Sequence, residues 1–579
     1  MLFIQDLRRF KLIFIFRFPI VIFLLGSLLY CAYKVAPSGG PEDKIPPEII
    51  GYFPPKDSVG ISSLSYVEIE FSETIRQTTL PNNYWIIPAL ENDLEVKWKG
   101  SKKVRFYLKD SLEKDQTYVF TLGTEVKDMR NNGLTSPFQI AFSSGDELDQ
   151  GLISGRVFSD RLQSGVYINA YLLGEAVEED SLIFQKPRYY TQIDKDGFFI
   201  LNYLQMSRYR LIALLDGDYS GIYTMEADQI GLPFLDIQLD SAQSEFNNLN
   251  FYLIQEDTTG PRIVGLDTLP NGEIQVEFSE EIRLDDNFRV EIIDTVHNET
   301  YPMLGFSFDQ QFPTFINLFL SSFSGNTEFS VRLEGITDLA GNAPKTSPLF
   351  RRFSAPAEQD TTPPKFLGSN PDSRSTGVTF DTQISLNFNV PVDTHLVRQN
   401  FKFQDTTSLA ISGKFQFLNL RKPLFEPDGT LGDETVYEMV LNLAEIRDIW
   451  QRPFPDTLMT IRFTTQSKKN LGEISGQLFA PNFEWKQAIL EASPLRGQAK
   501  YQLLVQNGES YMFNDLPDGL YQLHAILDLN ENSIWDKGKT NPWTFAEPFI
   551  FRSDTIKVRK RWTTEGIDFN FNFGSTHEP

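Results

Sequence analysis

The chemistry most open to this chain is the ligation of a hard cation by oxygen. In Asp528-Leu-Asn530-Glu-Asn532-Ser-Ile-Trp-Asp536, oxygen side chains stand at positions 1, 3, 5 and 9 of a loop that leaves a strand. That spacing lets them converge on calcium, which takes six to eight oxygen ligands in flexible geometry. Ser533 stands where a sharp-turn glycine belongs, and Lys539 where a bidentate glutamate would close the shell. A second loop repeats the idea with Asp216, Asp218 and Ser220, and Glu226 lies a little beyond. The competing reading of both loops is an Asx-rich hairpin whose side chains cap their own backbone. Calcium is the one cofactor these patterns suggest.

Two other sets of residues invite a chemical reading. Trp485, Trp535, Trp543 and Trp562 crowd the C-terminal region. Exposed together they would form a ligand surface on which sugar rings stack; buried, they are core and hairpin packing. Asp128, Asp338 and Asp448 recur at one register, which suits a turn in which a carboxylate accepts backbone N–H bonds. Glu73, Glu280 and Glu281 read as polar strand ends. No G-x-S-x-G elbow, phosphate loop or H-E-x-x-H occurs, and a carboxylate pair for glycoside hydrolysis needs one cleft that both face. The expectation is no catalytic residue and no enzyme.

These residues hang on a repeated frame. One phrase occurs three times, with an acidic residue and proline step (Asp43 to Pro47, Asp257 to Pro261, Asp360 to Pro364) followed by an alternating run, YVEIEFSETI, EIQVEFSEEI or QISLNFNVPV. From Phe71, Phe278 and Phe388 to Asp128, Asp338 and Asp448 the spacing is 57, 60 and 60 residues. A repeat of that length with its own start and stop is a whole domain. Alternation places Val67, Ile69 and Phe71 on one buried face. The predicted strands of the first unit lie near Tyr66–Phe71, Leu94–Trp98, Lys103–Leu108, Thr117–Leu122 and Phe138–Ser143. A second plan also recurs: GLISGRVF with GEISGQLF, and YRLIALLDGD with YQLHAILDLN. The sequence therefore predicts an all-β chain of sandwiches in the order 46–147, 150–256, 257–357, 360–468 and 470–575. Short stiff Asp/Thr/Pro linkers predict an extended array, and no helix beyond two or three turns is expected.

Composition bounds the partners. Lys and Arg number 53 against 77 Asp and Glu, a net charge of −24, which repels nucleic acid and anionic lipid and argues against polybasic binding. One cysteine and four histidines exclude an intrachain disulfide and a Cys/His zinc site. Residues 1–31 read as an export signal. Arg8, Arg9, Lys11 and Arg17 precede a short apolar core that ends at Cys31, the sole cysteine. An uncleaved anchor and a soluble secreted form are the alternatives, and all three put the chain outside the cytoplasm. Residues 32–45, rich in Pro and Gly, read as a tether.

The signal resembles a bacterial lipoprotein signal, with Leu28-Leu29-Tyr30-Cys31 as processing box and Cys31 as the lipidated residue; Tyr30 stands where such boxes carry a small residue. The first, third and fourth units resemble bacterial Ig-like domains of the SbsA type. Their proline openings, the F-S-E-x-I phrase and the D-x-x-G-N turn carry that likeness, which is closer in the first and third than in the fourth. The other two resemble carboxypeptidase-regulatory-like, or transthyretin-like, sandwiches. Together these resemblances imply a multi-domain lipoprotein of the cell envelope, at the outer membrane, held by a lipid anchor. It would act as a non-catalytic spacer and binding scaffold, with envelope proteins or glycans as partners and no nucleic acid. Glycan capture by the C-terminal domain is the alternative.

Overall fold

The computed structural model describes residues 43–574 apart from 89, 91, 164, 175–178, 310–312, 322–327, 356–361 and 498. Cys31, the signal and most of the tether lie outside them. Among the described residues no helix is long and apolar enough to cross a membrane.

Each unit is a pair of sheets closed over an apolar core. In the first, Ile49–Phe53, Tyr66–Phe71, Lys103–Tyr107 and Glu95–Lys99 form one antiparallel sheet, and Tyr84–Ile87, Thr117–Leu122 and Phe138–Ser143 form the other. The inward positions of Tyr66–Phe71 are Val67, Ile69 and Phe71, all fully buried, as strict alternation requires. The third and fourth units repeat this plan, with cores centred on Val276, Phe278 and Phe329, and on Leu386, Phe388 and Phe403. The single α-helix among the described residues, Thr394–Gln399, is capped by Asp393, whose side chain accepts from the His395 and Leu396 amides.

The second plan differs in how it closes. Gly151–Phe158 lies between Phe198–Leu204, antiparallel, and Glu245–Tyr252, parallel. Leu471–Phe479 likewise pairs antiparallel with Ser510–Pro517 and parallel with Thr563–Thr564 and Phe569–Asn570. Parallel closure needs a crossover between the paired strands, and in both units the opposite sheet supplies it.

The extended array is corrected. The second and fifth units share one hydrophobic cluster, which also takes in Trp85 and Ile87 of the first. Phe158 meets Phe551 with ring centroids 5.1 Å apart, Phe234 meets Phe573 at 4.6 Å, and Tyr252 meets Trp535 at 4.9 Å. Backbone bonds join the same pair, Ala546 N to Pro233 O at 3.0 Å and Gly574 N to Asn247 O at 3.2 Å. Linker composition limits local bending; it does not cancel the burial of several aromatic rings, each worth roughly 1.5–3 kcal/mol when fully covered. The chain doubles back, and the third and fourth units loop out between the paired ones.

Polar bonds add to the aromatic contacts at the other junctions, where Trp85 stacks on Tyr190 at 5.3 Å and Trp450 meets Phe319 at 6.3 Å. Gln192 Oε1 accepts from Thr124 N at 2.8 Å across the first joint. Trp450 Nε1 donates to Leu320 O at 2.8 Å across the third-to-fourth joint, where Arg421 also pairs with the buried Glu273. Glu256 accepts from Thr540 N at 2.8 Å, and Lys539 Nζ donates to Ala340 O at 2.6 Å.

Candidate cation sites and the exposed aromatic face

The recurring aspartates sit in one turn. Asp128 is fully buried; its Oδ1 accepts from Arg130 N (2.7 Å) and Asn132 N (2.8 Å), and its Oδ2 from Asn132 Nδ2 (2.8 Å). Burial pushes this carboxyl up, but the bonds from Asn132 and Arg130 outweigh it and hold the group below its ordinary range. Asp338 accepts from Asn342 N at 2.7 Å and Nδ2 at 2.8 Å. The residue before each amide donor has positive φ: Asn131 at 73°, Gly341 at 87° and Gln451 at 67°. The turn requires that conformation, and only in the third unit is the residue glycine.

The turn also clasps the linker. Asn132 Nδ2 reaches Asp43 O at 3.1 Å, and Asn342 Nδ2 reaches Asp257 O at 2.8 Å. This brings three carboxylates together twice. Asp43, Glu73 and Asp128 offer oxygens within 4.8 Å of one another, and so do Asp257, Glu280 and Asp338. Glu73 is raised by burial and then by the Asp128 and Asp43 charges. Glu280 is raised by burial and by Asp257 and Asp338, with Ser279 opposing. The turn-cap role of the aspartates agrees with these bonds. The strand-end reading of Glu73 and Glu280 missed their convergence with the linker aspartates, whose spacing from the glutamates differs between the two units (30 residues from Asp43 to Glu73, 23 from Asp257 to Glu280).

The second unit's loop is also acidic. Asp216, Asp218 and Asp228 approach within 4.8 Å. Ser220 and Gly221 amides donate to Asp216, and Ser220 N also to Asp218 at 2.9 Å. Asp228, fully buried, caps Gly217 N and Thr224 N, both at 2.7 Å. The sequence reading missed Asp228 because it lies on the far side of the loop; Glu226 is not part of the cluster. Burial raises Asp216, while the Ser220 bonds lower Asp218.

In the fifth unit Asp528, Asn530, Asn532 and Asp536 do converge, but on hydrogen bonds. Asp528 accepts from Asn532 N, Ser533 N and Gln487 Nε2, and Asp536 Oδ2 accepts from Asn530 Nδ2 at 2.7 Å and Asn532 Nδ2 at 2.8 Å. These bonds are those of an Asx-rich hairpin that caps its own backbone. Ser533 takes the positive φ of 62° where Gly221 has 75°. Glu547, nearly buried, takes the place of Asp228 by accepting from Leu529 N at 2.7 Å and Asp536 N at 3.0 Å. Burial, with Asp536 and Asp528 adding, pushes it up to about 7.

The tryptophans do not form one surface. Trp485 is 7% exposed in the shared core. Trp535 packs under Tyr252, and Trp543 lies 4.3 Å beneath the Arg210 guanidinium. The contact of the second and fifth units covers both. Trp562 alone of the four stands out, at 64% exposure.

A family model described as the bacterial Ig-like domain matches residues 43–144 and 360–465, the first and fourth units. The fourth, whose phrase and turn depart most from the repeat, is thus matched. No curated protein matches. Among solved structures, the N-terminal part of the bacterial S-layer protein SbsC is 15% identical over 29% of this chain, with a TM-score of 0.17, and this chain spans 41% of that one. Domains 1–6 of the surface layer protein SbsC are 8% identical over 89% of this chain and 67% of theirs, TM-score 0.16. An L,D-transpeptidase from Mycobacterium smegmatis is 11% identical over 26% of this chain and 76% of its own, TM-score 0.16. Likenesses at this level bear on no activity.

Proposed function

We propose that this chain is a non-catalytic scaffold of the bacterial cell envelope, lipid-anchored through Cys31, in which five sandwiches fold back into a braced body. The observation that supports the reading is the fixing of its joints. Trp450 with Leu320, Glu256 with Thr540, and the aromatic seam between the second and fifth units hold the domains in set positions. Such contacts suit a body that presents surfaces at fixed distances. The test is metabolic labelling with a palmitate analogue in a Gram-negative host. The native chain takes up label and fractionates with outer membrane, and Cys31→Ala does neither. Equal labelling of both removes the anchor from the proposal.

Calcium belongs to the proposal at the loop of Asp216, Asp218 and Ser220, joined by Asp228; calorimetric titration of the full chain against Asp216→Asn/Asp218→Asn tests it. The loop at 528–536 is proposed as a hairpin. A second reading, glycan capture by the C-terminal domain, is favoured by the exposure of Trp562.

A further inference from the structure

The overall charge of −24 hides one local inversion. Lys557, Arg559, Lys560 and Arg561 fall within five residues, all are exposed, and Trp562 follows them. Whole-chain charge argued against a polybasic surface; that argument fails here because it averages over a sequence in which these cations are concentrated. None of the four has a carboxylate partner among the described residues. Cations elsewhere are commonly paired, as Arg105 with Glu68 and Arg210 with Asp236.

The run is held in place. Ile556–Val558 pairs with Gly519–Asp528 of one sheet, and Thr563–Thr564 pairs with Leu471–Phe479 of the other. The turn between them is pinned by Arg561 N to Leu471 O at 2.6 Å, Trp562 N to Arg559 O at 3.2 Å, and Glu473 N to Trp562 O at 3.0 Å. Ile556 and Val558 point into the core, so alternation turns Lys557 and Arg559 outward. Lys557, Arg559, Arg561 and Trp562 line one open groove of about 670 Å³, with Glu565 its only acidic wall residue.

We propose that this groove binds an acidic glycan, a polysaccharide segment bearing carboxylate or phosphate groups. The inference rests on the glycan-capture reading above and narrows it. Guanidinium groups form bidentate hydrogen bonds with carboxylate and phosphate. An exposed indole offers a flat face to a sugar ring, and an open groove with cations along its wall gives an extended anionic chain several contacts at once.

The experiment measures binding of the full chain in detergent micelles to polygalacturonate, to neutral dextran, and to phosphatidylglycerol carried in the same micelles, at low and high salt. The expected result is binding to polygalacturonate that falls with salt, weakens at least about tenfold in Lys557→Glu/Arg559→Glu, and weakens by about threefold or more in Trp562→Ala. These side chains are exposed, so unchanged thermal unfolding verifies that the variants fold. Binding to dextran as tight as to polygalacturonate, and unmoved by the charge reversal, overturns the acidic-glycan inference and leaves glycan capture standing. Binding to neither glycan overturns both. Tighter binding to phosphatidylglycerol in micelles, lost in the charge-reversal variant, overturns the inference in favour of a membrane surface.

Discussion

The first and third units solve one electrostatic problem in one way, and the fourth solves it in another. Where the former place Glu73 and Glu280 beside the turn aspartate, the fourth has Val390, buried in its core. Where they place Asn132 and Asn342, it has Arg452, whose backbone N donates to Asp448 at 2.8 Å and whose Nε donates at 2.6 Å. Arg452 Nη1 even reaches the linker at Thr362 O, 3.3 Å away, as the asparagines reach Asp43 and Asp257. One carboxylate has been removed and a fixed cation installed. A clasp that carries three acids in two units accepts a built-in positive charge in the third copy, so the excess negative charge is the variable and the turn is the constant.

The largest effect should come from deleting the shared aspartate. Asp448→Ala removes the carboxylate that accepts from both the Arg452 amide and its guanidinium, and a lost charge-assisted bond on top of the turn cap should cost about 2–4 kcal/mol of local stability. Asp128→Ala and Asp338→Ala orphan only neutral amides and should cost about 1–3 kcal/mol. Hydrogen exchange at the Asn132, Asn342 and Arg452 amides reads these local openings separately. If the fourth unit loses no more than the other two, the comparison fails.

Carboxylates held without a cation should also reveal themselves through pH, and the fifth unit has the strongest case. Glu547 is pushed up from 4.5 to about 7. A raised acid favours the folded state while protonated, so its stabilisation is full below about 4.5 and is lost as pH rises to about 7, a change of about 3 kcal/mol. His524, pushed down to about 4 by burial, acts in the opposite sense, and its contribution is lost as pH falls from 6.5. Glu547→Gln should therefore leave stability of the fifth unit rising with pH over this interval. A chemical-denaturation series that falls with pH in the variant as in the native chain would refute this.

The exchange can be run backwards. Val390→Glu with Arg452→Asn sets a second carboxylate beside Asp448 in the fourth unit and should destabilise it by about 1–3 kcal/mol, since a charge is buried next to a like charge. Millimolar calcium should recover part of that loss, and should raise the unfolding temperature of the first and third units more than that of the native fourth. Equal shifts in all three would mean that Arg452 is not standing where a cation is wanted.

Local order was plain in the sequence and global order was not. Tyr66–Phe71, Thr117–Leu122 and Phe138–Ser143 fall where alternation put them, because period-2 patterning is set by the strand's own buried face. The same patterning cannot say whether the second face meets water or another domain, so Phe158 and Tyr252 read as ordinary strand residues, Trp535 read as a candidate ligand-surface residue, and their seam went unseen. The Asx loop at 528–536 drew attention by composition, but composition does not tell Asn oxygens from Asn nitrogens. The acidic triads were missed for a third reason. Their members lie far apart in sequence, and only the linker clasp brings Asp43 and Asp257 to the turn.

The smallest expected effect isolates the third carboxylate. Glu73 and Glu280 are both raised, first by burial and also by neighbouring aspartates, so each favours folding while protonated and opposes it increasingly as pH rises above its ordinary value. Asp128 is lowered, and its contribution is lost only as pH falls below that of a free aspartate. At neutral pH the two effects meet: the aspartate stabilises and the glutamate does not. Glu73→Gln and Glu280→Gln should therefore leave the turn bonds intact and gain up to about 1 kcal/mol at pH 7, with no gain near pH 4. The fourth unit, which has Val390 at this place, is the internal control and should not move. A loss at pH 7 in either variant would mean that the glutamate is already paired with a cation in solution, and the acidic clasp would then equal the Arg452 clasp in kind, differing only in whether its positive charge is covalently attached.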